Sequence, residues 1–154
     1  MEIKTSNAAT LPNTLIINDR RIDPSKGTIN RSRGNLIQLR AVIEELGGKV
    51  SWNAEEQNVM INYRERQYEG ILEHGEAPAC ACSIRPNISF FRYNQENANK
   101  KQSVLLHSMG VGGYYEMING SIYLSAETMK YLLNDMGISM TINLSTNTIT
   151  IKLR

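Results

Sequence analysis

With 154 residues, 41% of them hydrophobic and 21% charged, the chain has the make-up of a soluble globular domain and the length to bury a core unaided. A net charge of +2 is too small to draw it to a nucleic-acid duplex, and no apolar run is long enough for a membrane span. The two cysteines, Cys80 and Cys82, stand too close together for an unstrained disulfide and read as free thiols in a reducing compartment.

Residues 1–13 are polar and without periodicity, and read as an N-terminal arm. They contain no basic leader followed by an apolar stretch, so the expectation is a cytoplasmic protein, or a secreted or cell-surface one if the chain is an excised domain. Leu15–Ile22 (LIINDRRI) predicts a hairpin, because Asn18 and Asp19 both tolerate the positive φ of a tight turn. Pro24–Asn35 (PSKGTINRSRGN) reads as a loop from its Pro, Gly and Ser content. Arg20, Arg21, Lys26, Arg31, Arg33 and Arg40 crowd this region, with Asp23 as the only acid between the two end residues.

Leu36, Leu39, Val42, Ile43 and Leu46 give the spacing of a one-sided helix, stopped by Gly47-Gly48. Val50 and Trp52, then Val59, Ile61 and Tyr63, alternate as the two strands of a hairpin. Segment 64–113 is harder to read. Ile84–Arg92 and Ser103–His107 suggest strands, with the polar stretch Asn94–Lys101 between them. Tyr115–Leu124 (YEMINGSIYL) predicts a second tight hairpin. Ser125 is placed to cap a helix carrying Met129, Leu132, Leu133 and Met136, which ends at Gly137. Ile138, Met140 and Ile142, then Ile149, Ile151 and Leu153, alternate as a final pair of strands.

Leu46–Ile61 and Met136–Ile151 align without a gap at an offset of 90 residues. The chain therefore reads as one unit used twice. The expected architecture is α+β: two hairpin–helix–hairpin pseudo-repeats, with mainly antiparallel strands packed on two helices. A single domain over 14–154 would comprise repeat 1 (14–63), a connecting segment (64–113) and repeat 2 (114–154). From Asn18 to Arg40 there are twenty-two residues, but only eleven from Asn119 to Lys130. On that count the basic loop is an insertion in the first copy, and insertions on a repeated scaffold often carry function.

The string QLRAVIEELGGKVSWNAEEQNVMIN resembles the copper amine oxidase N-terminal-like domain. The matching residues are Leu39-Arg40, Glu44, Leu46-Gly47, Val50, Trp52 and Asn53. Gln38 stands where the family has Pro, and Asn53 where it has Asp. The second copy retains Asn119-Gly120, Leu133, Gly137 and Asn143. The resemblance implies a small, repeated, non-catalytic α+β module holding neither copper nor quinone. Such modules occur in surface and wall proteins of Gram-positive bacteria and in phage wall hydrolases.

Candidate chemistry is sparse. Cys80, Cys82, His74 and His107 are soft-metal ligand types, but their spacing is not that of a zinc knuckle. No metal, cofactor or catalytic residue is assigned, and a non-enzyme is expected. Gly110–Gly113 (GVGG) runs into a hairpin rather than a helix, unlike a phosphate loop. The candidate ligand-binding residues are Arg21, Lys26, Arg31 and Arg33, whose guanidinium and ammonium groups suit phosphate, with Trp52 and Tyr63 as a stacking platform. The first expectation is a binding module for a small anionic ligand, a nucleotide or sugar phosphate, in a phage-borne sequestering or sensing protein. The alternative is an attachment module for a cell-wall polymer. Exposed hairpin edges also invite homo-oligomerisation.

Overall fold

The computed structural model describes residues 14–23, 27–31, 34–73, 87–93, 101–103 and 114–153. Among these residues the fold is mixed α+β, with two helices and mostly antiparallel strands in three sheets. The strands in chain order are β1 (Thr14–Ile17), β2 (Arg20–Ile22), β3 (Thr28–Arg31), β4 (Gly34–Gln38), β5 (Lys49–Asn53), β6 (Asn58–Tyr63), β7 (Arg66–Glu73), β8 (Asn87–Tyr93), β9 (Lys101–Ser103), β10 (Tyr115–Ile118), β11 (Ser121–Ser125), β12 (Ile138–Asn143) and β13 (Thr148–Leu153). The helices are α1 (Leu39–Glu45) and α2 (Ala126–Asp135). The sheets run β12-β13-β1-β2, β10-β11-β4-β3 and β5-β6-β7-β8-β9.

The middle sheet organises the rest. β4 and β11 pair antiparallel, with Ile37 opposite Leu124, and each runs directly into a helix. Both helices then pack across this strand pair. Leu39, Val42 and Ile43 of α1 are buried, as are Met129, Leu132 and Leu133 of α2, against Ile37, Leu124, Val59, Ile61, Ile149 and Ile151. Each such side chain contributes roughly 1.5–3 kcal/mol on leaving water. The sheet of β12 and β13 is extended by the first hairpin, because β1 lies parallel to β13 with Leu15 opposite Ile149 and Ile17 opposite Ile151.

The local signals act as their chemistry dictates. Ser125 Oγ accepts the Thr128 N–H at 3.2 Å and caps α2. Past α1, Gly47 N–H donates to the Glu44 carbonyl and Gly48 N–H to that of Ile43. Gly47 has φ 93, open to glycine without strain. The hairpin turns at Asn18-Asp19 (φ 50 and 68) and Asn119-Gly120 (φ 51 and 80) take the left-handed conformation that twists with the strands. Asn53 and Asn143 each hold the next turn, with Oδ1 accepting two backbone N–H groups, those of Glu55 and Glu56 in one case and of Ser145 and Thr146 in the other.

Two expectations are corrected. Pro24–Asn35 is not simply a loop, since Thr28–Arg31 forms β3 and pairs with β4, Arg31 opposite Gly34. The hairpin that enters α1 is therefore β3–β4, and it occupies the place that β10–β11 holds before α2. The hairpin β1–β2 instead joins the sheet of β12 and β13. The helix also begins later than its apolar spacing suggests, because Leu36 lies in β4, opposite Ser125. Leu36 and Ile37 are both buried, so β4 is covered on both faces and shows no period-two pattern. Of the strands expected in 64–113, Ile84–Arg92 overlaps β8, and Ser103–His107 meets β9 at Ser103, with 104–107 outside the described residues; Lys101, expected in the polar stretch, belongs to β9.

Candidate functional site

The five-stranded sheet positions the most developed polar cluster. Side chains alternate across it, so Val59, Ile61, Tyr68 and Phe90 enter the core. Asn58, Met60, Glu69, Phe91 and Tyr93 lie on the opposite face. Register sets Met60 beside Glu69 and Glu69 beside Phe91. A hollow of about 570 Å³ opens over this face, lined in part by Trp52, Glu55, Glu56, Asn58, Glu69 and Tyr93.

Glu69 and Asn58 are each only 7% exposed. The carboxylate is held from two sides: Asn58 Nδ2 donates to one oxygen at 2.6 Å and the Tyr93 hydroxyl to the other at 2.9 Å. Such bonds offset the cost of keeping a charge from water. Asn58 Nδ2 also lies 3.5 Å from a Glu56 oxygen. Two carboxylates thus fix which end of the amide is the nitrogen, and Asn58 Oδ1 is buried without a partner. An unmet buried acceptor costs about 1–3 kcal/mol unless a donor reaches it.

A second cluster joins α2 to the same sheet from the core side. Arg92 Nη1 lies 2.5 and 2.6 Å from the two oxygens of Asp135, and the Tyr68 hydroxyl donates to Asp135 at 2.9 Å. Arg66 Nη1 donates to the Asp135 main-chain carbonyl, capping the negative end of the helix. Burial, aided by the neighbouring carboxylate, pushes the Tyr68 phenol up to about 12. The Asp135 hydrogen bond raises Arg92 above its already high value. This cluster fastens α2 to β7 and β8.

The residues expected to bind are scattered. Tyr63 is 3% exposed and presents no ring face to a ligand. Its hydroxyl is buried without a partner, and the Arg64 guanidinium lies 5.4 Å from its ring centroid. Trp52 stands opposite Val59, whereas Tyr63 lies at the other end of the same hairpin. They do not form one platform. Trp52 is half-buried against the core and lines both the hollow and a narrow cleft with Met117, Gly120 and Ile122. Arg21 is exposed on β2, opposite Ile16. The Arg31 backbone sits at the end of β3. Its side chain, together with Lys26 and Arg33, lies outside the described residues. So do His74, Cys80, Cys82, His107 and Gly110–Gly113. Among the described residues no cluster of His, Cys, Asp and Glu could hold a metal ion, and no helix is long and apolar enough to cross a membrane.

Sequence reasoning missed Asn58, Glu69 and Tyr93. Glu69 sits in a segment without a strand signal, and the three residues meet only through the register of β6, β7 and β8. Comparison with protein-family models, with curated proteins and with solved structures returns no match.

Proposed function

We propose that this chain is a duplicated, non-catalytic binding module, related to the copper amine oxidase N-terminal-like domain, whose ligand is a neutral polyhydroxylated polymer such as a cell-wall glycan. The duplication rests on element order, since β3–β4–α1–β5–β6 and β10–β11–α2–β12–β13 follow the same plan. The offset is 87 residues from Leu39 to Ala126, where the helices begin, and 90 from Leu46 to Met136, just past their ends. The difference of three equals the extra length of α2, ten residues against seven.

The observation carrying the ligand class is the hollow itself, whose lining includes the Glu55 and Glu56 carboxylates, Asn58 and Trp52. Such a lining asks for hydrogen-bond donors and repels phosphate. Sugar hydroxyls supply donors, and Trp52 offers an aromatic edge for the apolar side of a ring. On this reading the protein works at the cell surface or wall. A second reading, an anionic ligand, is favoured by Arg31 at the end of β3, with Arg33 two residues further along the chain.

Amide-detected NMR titration separates the two. Neutral chitin or glucan oligosaccharides should shift the Asn58 side-chain amide and the Trp52 indole. A nucleotide panel that instead shifts resonances around Arg31 and Arg33 would move the conclusion to the anionic ligand. No shift with either class would overturn the binding-module reading.

A further inference from the structure

We propose that β12 is the docking edge for a second copy of this chain, the two strands pairing antiparallel about a two-fold axis. Among the described residues the three sheets have six edge strands: β12 and β2, β10 and β3, β5 and β9. Proteins protect such edges with charge, because an open row of backbone groups invites another strand. Arg20 and Arg21 stand in β2, Arg31 in β3, Lys49 in β5, Lys101 in β9 and Glu116 in β10. β12, Ile-Ser-Met-Thr-Ile-Asn, has no charged residue.

The unused backbone groups can be named. The Asn147 and Ile151 carbonyls accept from Thr14 and Asn18, and so point towards β1. By alternation Thr148, Thr150 and Lys152 point the other way, towards Asn143, Thr141 and Ser139 of β12. The N–H and C=O groups of Ile138, Met140 and Ile142 then face outward, and among the described residues no strand pairs with that side of β12.

Charge complementarity selects a second copy as the occupant. A two-fold pairing sets each edge against itself, so that both strands of the seam carry the same charge at the other five edges and none at β12. Apolar exposure is concentrated on the same hairpin. Of the five large apolar side chains exposed among the described residues, Ile142 (39%), Leu144 (83%) and Leu153 (44%) belong to it. With Thr141 on the axis, Ile142 lies opposite the partner's Met140 and Leu144 beside the partner's Ile138. The two four-stranded sheets become one of eight strands.

The test is sedimentation velocity on the full chain from roughly 5 to 500 µM, a range that spans ordinary homodimer affinities. The expected result is a dimer. Ile142→Lys and Leu144→Asp, both at exposed positions, should each weaken it at least about tenfold, the scale of an unpaired charge placed in an interface. In a Cys80→Ser/Cys82→Ser background, Thr141→Cys should crosslink two chains on mild oxidation, and Lys49→Cys on the protected edge β5 should not. A monomer throughout the range overturns the proposal. So does a dimer that survives Ile142→Lys and crosslinks through Lys49→Cys but not Thr141→Cys.

Discussion

Replacing Asp135 by alanine takes away the carboxylate on which Arg92 and Tyr68 converge. Arg92 Nη1 lies 2.5 and 2.6 Å from its oxygens and the Tyr68 hydroxyl 2.9 Å. The Arg92 and Asp135 side chains are 28% and 21% exposed. Their pair therefore ranks above a surface ion pair, worth about 0.5 kcal/mol, and below a fully buried one, whose breakage costs about 3–5 kcal/mol. Tyr68 is wholly buried, and losing an acceptor there adds about 1 kcal/mol. The expected loss is about 2–4 kcal/mol, or about 5–15 °C in Tm for a chain of this length. Urea unfolding followed by circular dichroism measures it. Asp135→Asn keeps an acceptor for Tyr68 and should cost roughly half as much. A double-mutant cycle with Arg92→Leu should show coupling of at least about 1 kcal/mol. Stability of Asp135→Ala within about 0.5 kcal/mol of the parent, or full additivity in the cycle, would refute the view that this cluster fastens α2 to the sheet.

Gly70 faces the core with a Cβ position 2.7 Å from Phe90 Cε1 and 2.8 Å from Val59 Cγ1. Both neighbours are fully buried, so Gly70→Ala should cost about 1–3 kcal/mol, with partial recovery on adding Phe90→Leu in the same unfolding assay. The Tyr68 phenol is raised from 10.0 to about 12. Between those values the folded protein holds a proton that the unfolded chain has released, so stability is intact below pH 10 and lost as pH climbs towards 12, by up to about 3 kcal/mol. Tyr68→Phe should flatten that slope. Asn53→Ala and Asn143→Ala each remove an oxygen that holds two turn amides, and calorimetry should show a loss of about 1 kcal/mol apiece.

What could be read from the chain was local. Ser125 as a cap, Gly47 and Gly137 as helix stops, and Asn18-Asp19 and Asn119-Gly120 as turns each depend on backbone chemistry within a few residues, and all act as expected. β3 and β4 were hidden because Gly, Ser and Arg resemble a loop, while β4 is held on its other side by β11, with Leu124 87 residues from its partner Ile37. β6 and β7 meet through Arg64-Glu65, a two-residue turn without glycine or asparagine, in which Arg64 adopts φ 55. The polar cluster in the hollow was hidden for the same reason, since Asn58, Glu69 and Tyr93 sit on β6, β7 and β8 and become neighbours only once those strands align. Basic residues in Pro24–Asn35 drew attention by composition alone, whereas the buried amide and carboxylate at Asn58 and Glu69 are ordinary in sequence.

The parallel pairing of β1 with β13 gives the fold a mechanical direction. The chain enters at the Thr14 end of one strand and leaves at the Leu153 end of its neighbour. Tension between those points slides the two strands past one another along their length. The bridging hydrogen bonds, including Thr14 N–H to Asn147 and Asn18 N–H to Ile151, are then loaded together in shear and must break together. An antiparallel arrangement of the same strands would open one bond at a time, like a zipper. Load applied between Thr14 and Leu153 is thus met first by the β1–β13 pair, whose Leu15, Ile17, Ile149 and Ile151 are themselves core.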